Sequence, residues 1–197
     1  MHREFMPLKS RRLAGDGGVD QPVLAAPDQV TLDDPAISVM TDLTRIQPVS
    51  IGPQATVDDA NRRMIERAVR LLFVLDAGDG LMGIMTASDV LGPRPMQVVS
   101  ERGVRRNEVL VRDVMTPVDE LEGVELADVY GAKVGHVVAM LRTSGRQHGL
   151  VVQRDASGRL RVRGLFSVTQ IARLLGAPIH VNELARTFTE IETLLAR

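Results

Sequence analysis

Cysteine is absent from this 197-residue chain, and with it go disulfides, thiolate metal sites and cysteine nucleophiles. Tryptophan is absent as well and aromatic residues reach only 3%, so any stacking surface for bases has to be sparse and aliphatic side chains must build the core. Neither charge sign dominates: 24 Lys and Arg against 25 Asp and Glu leave a formal net charge of -1, which offers no global field for drawing in nucleic acid. No apolar run approaches the roughly 20 residues of a membrane span. The opening MHREFMPLKSRRLAGDGG lacks the apolar stretch of a secretory signal. The expectation is a cytoplasmic protein with neither a nucleic-acid nor a membrane partner. His2, His136 and His180 are scattered without ligand-like spacing, so no metal site is expected.

What the chain does contain is an internal repeat. Val39-Met40-Thr41 recurs as Val114-Met115-Thr116, and each copy leads into the same order of elements. In the first copy Val49-Ser50-Ile51 reads as a short strand broken by Gly52-Pro53. Thr56 stands as N-cap, with Asp59 three residues on, ahead of a helix carrying Val57, Ala60 and Met64 on one face. The apolar run Leu71 to Leu75 is a buried strand. Asp76-Ala77-Gly78-Asp79-Gly80 is turn chemistry, and Leu81 to Met85 returns as the second strand of a hairpin. Thr86-Ala87-Ser88-Asp89 opens a short helix that Gly92-Pro93 ends.

The second copy places a helix over residues 132–143, a buried strand over 149–152 and a turn at Asp155 to Gly158. Its return strand, Leu160 to Phe166, alternates arginine with apolar residues, the period of a sheet with one wet face. Ser167-Val168-Thr169-Gln170 then opens a helix as an ordinary capping box, and Gly176 with Pro178 ends it. The fold expected is α+β, two repeats of strand, helix, strand, strand, helix. The boundaries are a flexible segment at 1–30, repeat 1 at 31–92, a linker at 93–111, repeat 2 at 112–176 and an amphipathic helix at 177–197. Linker arginines Arg94, Arg102, Arg105 and Arg106 read as a solvated face. In the last segment Leu184, Phe188, Ile191 and Leu195 form one stripe behind Asn182 as N-cap, and burying that stripe predicts a homodimer.

The two lead-ins, the strand ending in Asp76 with its glycine turn, and Gly83-Ile84-Met85-Thr86-Ala87-Ser88-Asp89 together resemble the CBS (cystathionine β-synthase type) domain. Residues 113–117 and Gly164-Leu165-Phe166-Ser167-Val168-Thr169-Gln170 resemble a diverged second copy. The resemblance spans roughly residues 38 to 176 and implies a Bateman module. In that family two repeats pack about a pseudo-twofold axis, adenine nucleotides or related adenosine compounds occupy the clefts between them, two modules pair into a flat dimer, and an attached or partner protein is regulated.

A helix starting at Thr86 aims unpaired N–H groups outward, which suits an anion. Asp89, one turn in, has the acceptors for a ribose diol. The resemblance implies the same roles, so Thr86 is assigned to phosphate or ribose and Asp89 to the ribose hydroxyls. Met85 and Val49 are also placed among the ligand-binding residues. Arg70, before the buried strand, stands where such modules put a phosphate-contacting cation, and Arg146 and His148 flank the matching strand of the second copy. Ser167 and Gln170 form the second site, weakened because an amide accepts less strongly than a carboxylate. Against this stands the plainer reading that Thr86 and Asp89 only cap a helix.

Three functional classes follow. One is a stand-alone sensor that binds AMP, ADP, ATP or a similar adenosine ligand as a regulatory effector, needs no other cofactor and controls a partner protein. A ligand-free dimerisation or scaffold module is the alternative. An enzyme is disfavoured, because no nucleophile and base occur at a recognisable spacing.

Overall fold

The computed structural model describes residues 29–176. The flexible segment expected over 1–30 and the amphipathic helix expected over 177–197, with Leu184, Phe188, Ile191 and Leu195, lie outside the described residues apart from positions 29 and 30.

Among the described residues, eight short strands and seven α-helices follow one another in chain order. They are β1 (Thr41–Asp42), β2 (Ser50–Ile51), α1 (Val57–Glu66), β3 (Leu71–Leu75), β4 (Leu81–Thr86), α2 (Ala87–Leu91), α3 (Arg94–Arg102), α4 (Val111–Val114), β5 (Thr116–Pro117), β6 (Gly123–Glu125), α5 (Leu126–Gly131), α6 (Val134–Ser144), β7 (His148–Arg154), β8 (Leu160–Ser167) and α7 (Val168–Leu174). The local signals acted as expected at α1, where Thr56 and Asp59 form a reciprocal capping box: the Asp59 amide donates to Thr56 Oγ1 at 3.1 Å and the Thr56 amide to Asp59 Oδ2 at 3.2 Å. Val57, Ala60 and Met64 are buried along one face. Asp76 holds the β3–β4 turn by accepting the amides of Gly78 and Gly80, both at 2.8 Å. The element order of the α+β fold is present twice, with one additional helix, α5, after β6 in the second copy.

Two four-stranded sheets form, in the orders β2-β3-β4-β5 and β1-β8-β7-β6. In each, an edge strand pairs parallel with the first strand of a hairpin (β2 with β3, β6 with β7), and the second strand of that hairpin (β4, β8) pairs antiparallel with a lead-in strand at the other edge. The lead-in strands decide how the units are composed. β1, from the first Val-Met-Thr, adds to the second sheet, with Thr41 opposite Leu165 and Asp42 opposite Gly164. β5, from the second, adds to the first sheet, with Thr116 opposite Ile84 and Pro117 opposite Gly83.

This crossing corrects the contiguous boundaries expected from the repeat. Val30, Leu32, Ala36, Val39 and Met40 pack in the second core with Val134, Val137, Leu141, Phe166 and Ile171. The supposed linker completes the first core: Val98, Val109 and Val111 are buried with Leu72, Val74, Met85 and Val90. Its arginines stay on the exposed face, as expected, and each has an acidic partner there, Arg94 with Asp89, Arg102 with Asp113, Arg105 with Glu108 and Arg106 with Asp58. Sequence similarity between the copies marks which residues are alike; burial of a free sheet edge decides which copy a segment joins. A salt bridge of Asp42 with Arg163 locks β1 onto β8, the second contact, Arg163 Nη2 to Asp42 Oδ2, being 3.1 Å.

Helices cover one face of each sheet. The other faces meet in an apolar seam of Leu71, Phe73 and Leu150, flanked by Leu43, Ile84, Leu121 and Leu165. The chain is thus two α+β halves pressed sheet to sheet, and the clefts open along the edges of that seam.

Candidate functional site

The backbone shows which residues correspond between the halves. Leu71 pairs with Thr86 in β3–β4 and His148 with Ser167 in β7–β8. The Ala87 amide donates to the Arg70 carbonyl at 2.9 Å, as the Val168 amide does to the Gln147 carbonyl at 3.0 Å. Arg70 therefore corresponds to Gln147, Leu71 to His148, Thr86 to Ser167 and Asp89 to Gln170. Arg70 Nη2 lies 3.5 Å from Gln147 Oε1, so equivalent residues touch and the pseudo-twofold axis passes beside them.

Two cavities flank this axis. The first, about 610 Å³, is lined by Thr86, Ser88, Asp89 and Arg94 from one half and by Glu120, Glu122, Arg146, Gln147 and His148 from the other. The second, about 620 Å³, is lined by Val49 and Arg70 from one half, by Thr41, Ser167, Gln170 and Arg173 from the other, and by His148 again. Each cleft thus joins the end of one return strand to the start of the opposite half's inner strand. Of the nine residues proposed from sequence, Thr86, Asp89, Arg146 and His148 gather in the first cavity, and Arg70, Val49, Ser167, Gln170 and His148 in the second. Arg70 lines the cavity with Ser167 and Gln170, apart from Thr86 and Asp89.

Met85 is a correction. It is fully buried among Leu72, Val74 and Val90 and lines neither cavity. A strand alternates faces with a period of two, so with Ile84 and Thr86 lining the cleft, Met85 is turned into the core. Its counterpart Phe166 is buried in the same way.

Asp89 already has partners. Its Oδ2 accepts the Thr86 amide at 2.8 Å and the Thr86 hydroxyl at 2.6 Å, while its Oδ1 takes Arg94 Nη1 at 3.2 Å. The plainer reading, helix capping, therefore describes a real arrangement, and α2 is only five residues long. The second copy departs from expectation in the opposite sense. Ser167 makes no side-chain cap bond, so the capping box predicted there is missing. Gln170 Oε1 instead accepts the Thr41 hydroxyl at 3.3 Å, across to the imported strand β1.

The centre is unsatisfied. Arg70 Nε and His148 Nδ1 are buried with no hydrogen-bond partner among the described residues. Such groups are costly to leave unpaired. Burial, and then the nearby Arg70 cation, push the His148 pKa down to about 4, so the imidazole is neutral at pH 7. Sequence reasoning missed Gln147, Arg173, Thr41, Arg94, Glu120 and Glu122. Only Gln147 had a legible signal, through its alignment with Arg70.

Among the described residues no group of three His, Cys, Asp or Glu side chains is placed to hold a metal ion, and no helix is long and apolar enough to cross a membrane.

Comparison with known proteins agrees with this architecture. The CBS domain family model matches residues 37–92. An uncharacterized conserved protein of Pyrococcus horikoshii superimposes with a TM-score of 0.53 at 19% identity, over 77% of this chain and 99% of that one. A CBS-domain containing protein of Agrobacterium tumefaciens gives 0.50 at 17% identity, over 69% and 93%. No curated protein matches the chain. The fold is that of a tandem CBS pair, a Bateman module, whose first repeat is recognised at the sequence level and whose second is recognised by its structure.

Proposed function

We propose that the chain is a regulatory sensor which binds an adenosine-containing ligand, AMP, ADP, ATP or a related compound, in a cleft between its repeats and passes that occupancy to a partner protein. The observation that carries this reading is the pair of cavities at the seam, each of nucleotide size and lined by both halves, with His148, whose Nδ1 is buried and unpartnered, on the wall they share and Arg70, whose Nε is buried and unpartnered, lining the second. Ligand pockets preferentially occupy such interfaces and use a few convergent polar groups. A ligand held by both halves changes how they sit against each other, and that relative position is what a partner reads. The role is regulatory rather than catalytic, it is exercised in the cytoplasm, and no further cofactor is required.

The module acts as a homodimer in this reading. Ile65 of α1 and Leu91 of α2 are 72% and 70% exposed, and covering such side chains is a reason for self-association. Light scattering that gave the mass of one chain at micromolar concentration would count against it.

The ligand test is a thermal-shift panel of AMP, ADP, ATP, S-adenosylmethionine and cyclic dinucleotides. A ligand at about 100 times its Kd adds roughly 2.7 kcal/mol of stability, readily seen as a rise in Tm. No shift with any of them would move the reading to the ligand-free scaffold. That alternative has its own support, since the polar atoms of Asp89 and the Gln170 carbonyl already have partners within the chain.

A further inference from the structure

The two cavities are nearly equal in volume but opposite in charge. Three carboxylates, Asp89, Glu120 and Glu122, line the first. Its two arginines are spent on two of them, Arg94 on Asp89 at 3.2 Å and Arg146 on Glu122 at 3.0 Å, which leaves Glu120 as a net negative charge. The second cavity has no carboxylate in its lining. It has Arg70, whose side chain has only the long 3.5 Å contact to Gln147 and an orphaned Nε. It also has Arg173, which makes no ion pair or side-chain hydrogen bond among the described residues.

We propose that the second cleft is the polyanion site of this protein, taking a nucleoside di- or triphosphate through its phosphates between Arg70 and Arg173, and that the first cleft refuses such ligands. This deepens the function proposed above and rests on it. Charge compensation favours the second cleft. An arginine held at a partly dry interface without a counter-charge is an unpaid cost that an entering phosphate relieves, and interactions there are less screened than in bulk water. In the first cleft the same phosphates would meet Glu120 and would have to pull Arg94 or Arg146 away from an existing partner. The reading inverts the ranking that the sequence suggests, where the carboxylate at Asp89 makes the first site the stronger. That carboxylate suits ribose hydroxyls, but as part of a cluster of three it repels phosphate.

Calorimetry on the full chain with adenosine, AMP and ATP as probes tests this. The expected result is one ATP per chain, affinity rising from adenosine to AMP to ATP, and an ATP affinity that falls with added salt. Arg70→Gln and Arg173→Gln should each weaken ATP by about tenfold or more, the loss of one charge-assisted contact, while changing adenosine by less than about threefold. Arg173 is on the exposed rim, so its variant keeps the test valid if Arg70→Gln melts early. Neutralising the first cleft with Glu120→Gln and Glu122→Gln together should raise the ATP stoichiometry from one to two. The proposal is overturned if the loss follows Arg94→Gln or Arg146→Gln instead, if affinity is flat across the three probes, or if the wild-type chain binds two ATP. Those outcomes leave the sensor function standing. Failure of all three probes to bind would overturn both.

Discussion

The first half of the molecule has a carboxylate, Asp89, one turn after its return strand and the second an amide, Gln170, and the contacts at the two strand ends differ accordingly. At Asp89 the charge organises its surroundings: Thr86 donates twice to it and Arg94 is drawn in from α3. At Gln170 nothing comparable forms, Ser167 is uncapped, and the side chain reaches to Thr41 on the strand imported from the other copy. The backbones nevertheless correspond strand for strand. Backbone pairing and core packing can therefore be held constant while a repeat changes the chemistry of its rim, because rim side chains contribute little to the seam of Leu71, Phe73 and Leu150.

The correspondence is broken most severely in the cores. Phe166→Ala should cost about 3–5 kcal/mol and Met85→Ala about 2–5 kcal/mol, read by urea unfolding. For Met85 the loss should come with unchanged ligand affinity in the folded fraction, since it lines no cavity. A selective loss of affinity would return it to the site.

The crossing strands give the next comparison. Gly83 and Gly164 occupy matching positions where β5 and β1 pass. A Cβ at Gly83 would sit 2.2 Å from the Thr116 carbonyl oxygen, whereas one at Gly164 would sit 2.7 Å from Met40 Sδ and 2.8 Å from the Thr41 carbonyl oxygen. Both Gly→Ala changes should destabilise, by about 1–3 kcal/mol. Gly83→Ala should be the worse, because its first clash is with backbone and the other's is with a flexible thioether. Equal midpoints in a denaturant series would show that the two crossings yield equally.

Acid should separate the halves through His148, which occupies the position of Leu71. Its pKa falls from 6.5 to about 4 on folding, by burial and then by Arg70. The unfolded chain therefore takes the proton first, and stability should decline as the pH drops from 6.5 towards 4, by about 1–3 kcal/mol in all. Asp42, lowered chiefly by the Arg163 hydrogen bond, and Asp59, lowered chiefly by that of Thr56, have an unfolded value of 3.8. Their contribution is intact above that pH and is lost only below it. A His148→Gln variant should be flat between pH 6.5 and 4.5 in urea titrations. A slope equal to that of the parent would assign the acid sensitivity elsewhere.

The smallest expected effect is at the rim. Asp89→Asn keeps the shape but loses the charge on a cap and on the Arg94 contact, for about 0.5–1.5 kcal/mol. Gln170→Ala should cost less than about 0.5 kcal/mol, having only the 3.3 Å bond to Thr41 to lose. Differential scanning calorimetry that found the order reversed would mean the amide, not the carboxylate, is the structural member of the pair.

Much of this was legible in the sequence because it is governed by local rules. The capping box at Thr56 and Asp59, the turn at Asp76, the apolar run of β3 and the order of elements depend on residues within a few positions of each other, and all are found. β6 and α5 gave no such signal, since Gly123–Glu125 is too short to show a period. Which residues gather at a cleft was partly legible: Thr86 and Ser167, at the ends of the return strands, each line one, whereas Met85 is turned into the core by the alternation of its strand.

By itself, then, the sequence determined the two copies, most elements within each and the kinds of side chain at their ends, because hydrophobic period, caps and turns act over short range. Tertiary structure alone decided that the lead-in strands trade places, that residues 93–111 complete the first core, and that Arg70 and Arg173 share a cleft without carboxylates while Arg94 and Arg146 do not. Those outcomes depend on which free edge a strand covers and which half's rim faces the other's, and both are settled only when the two sheets close on one another.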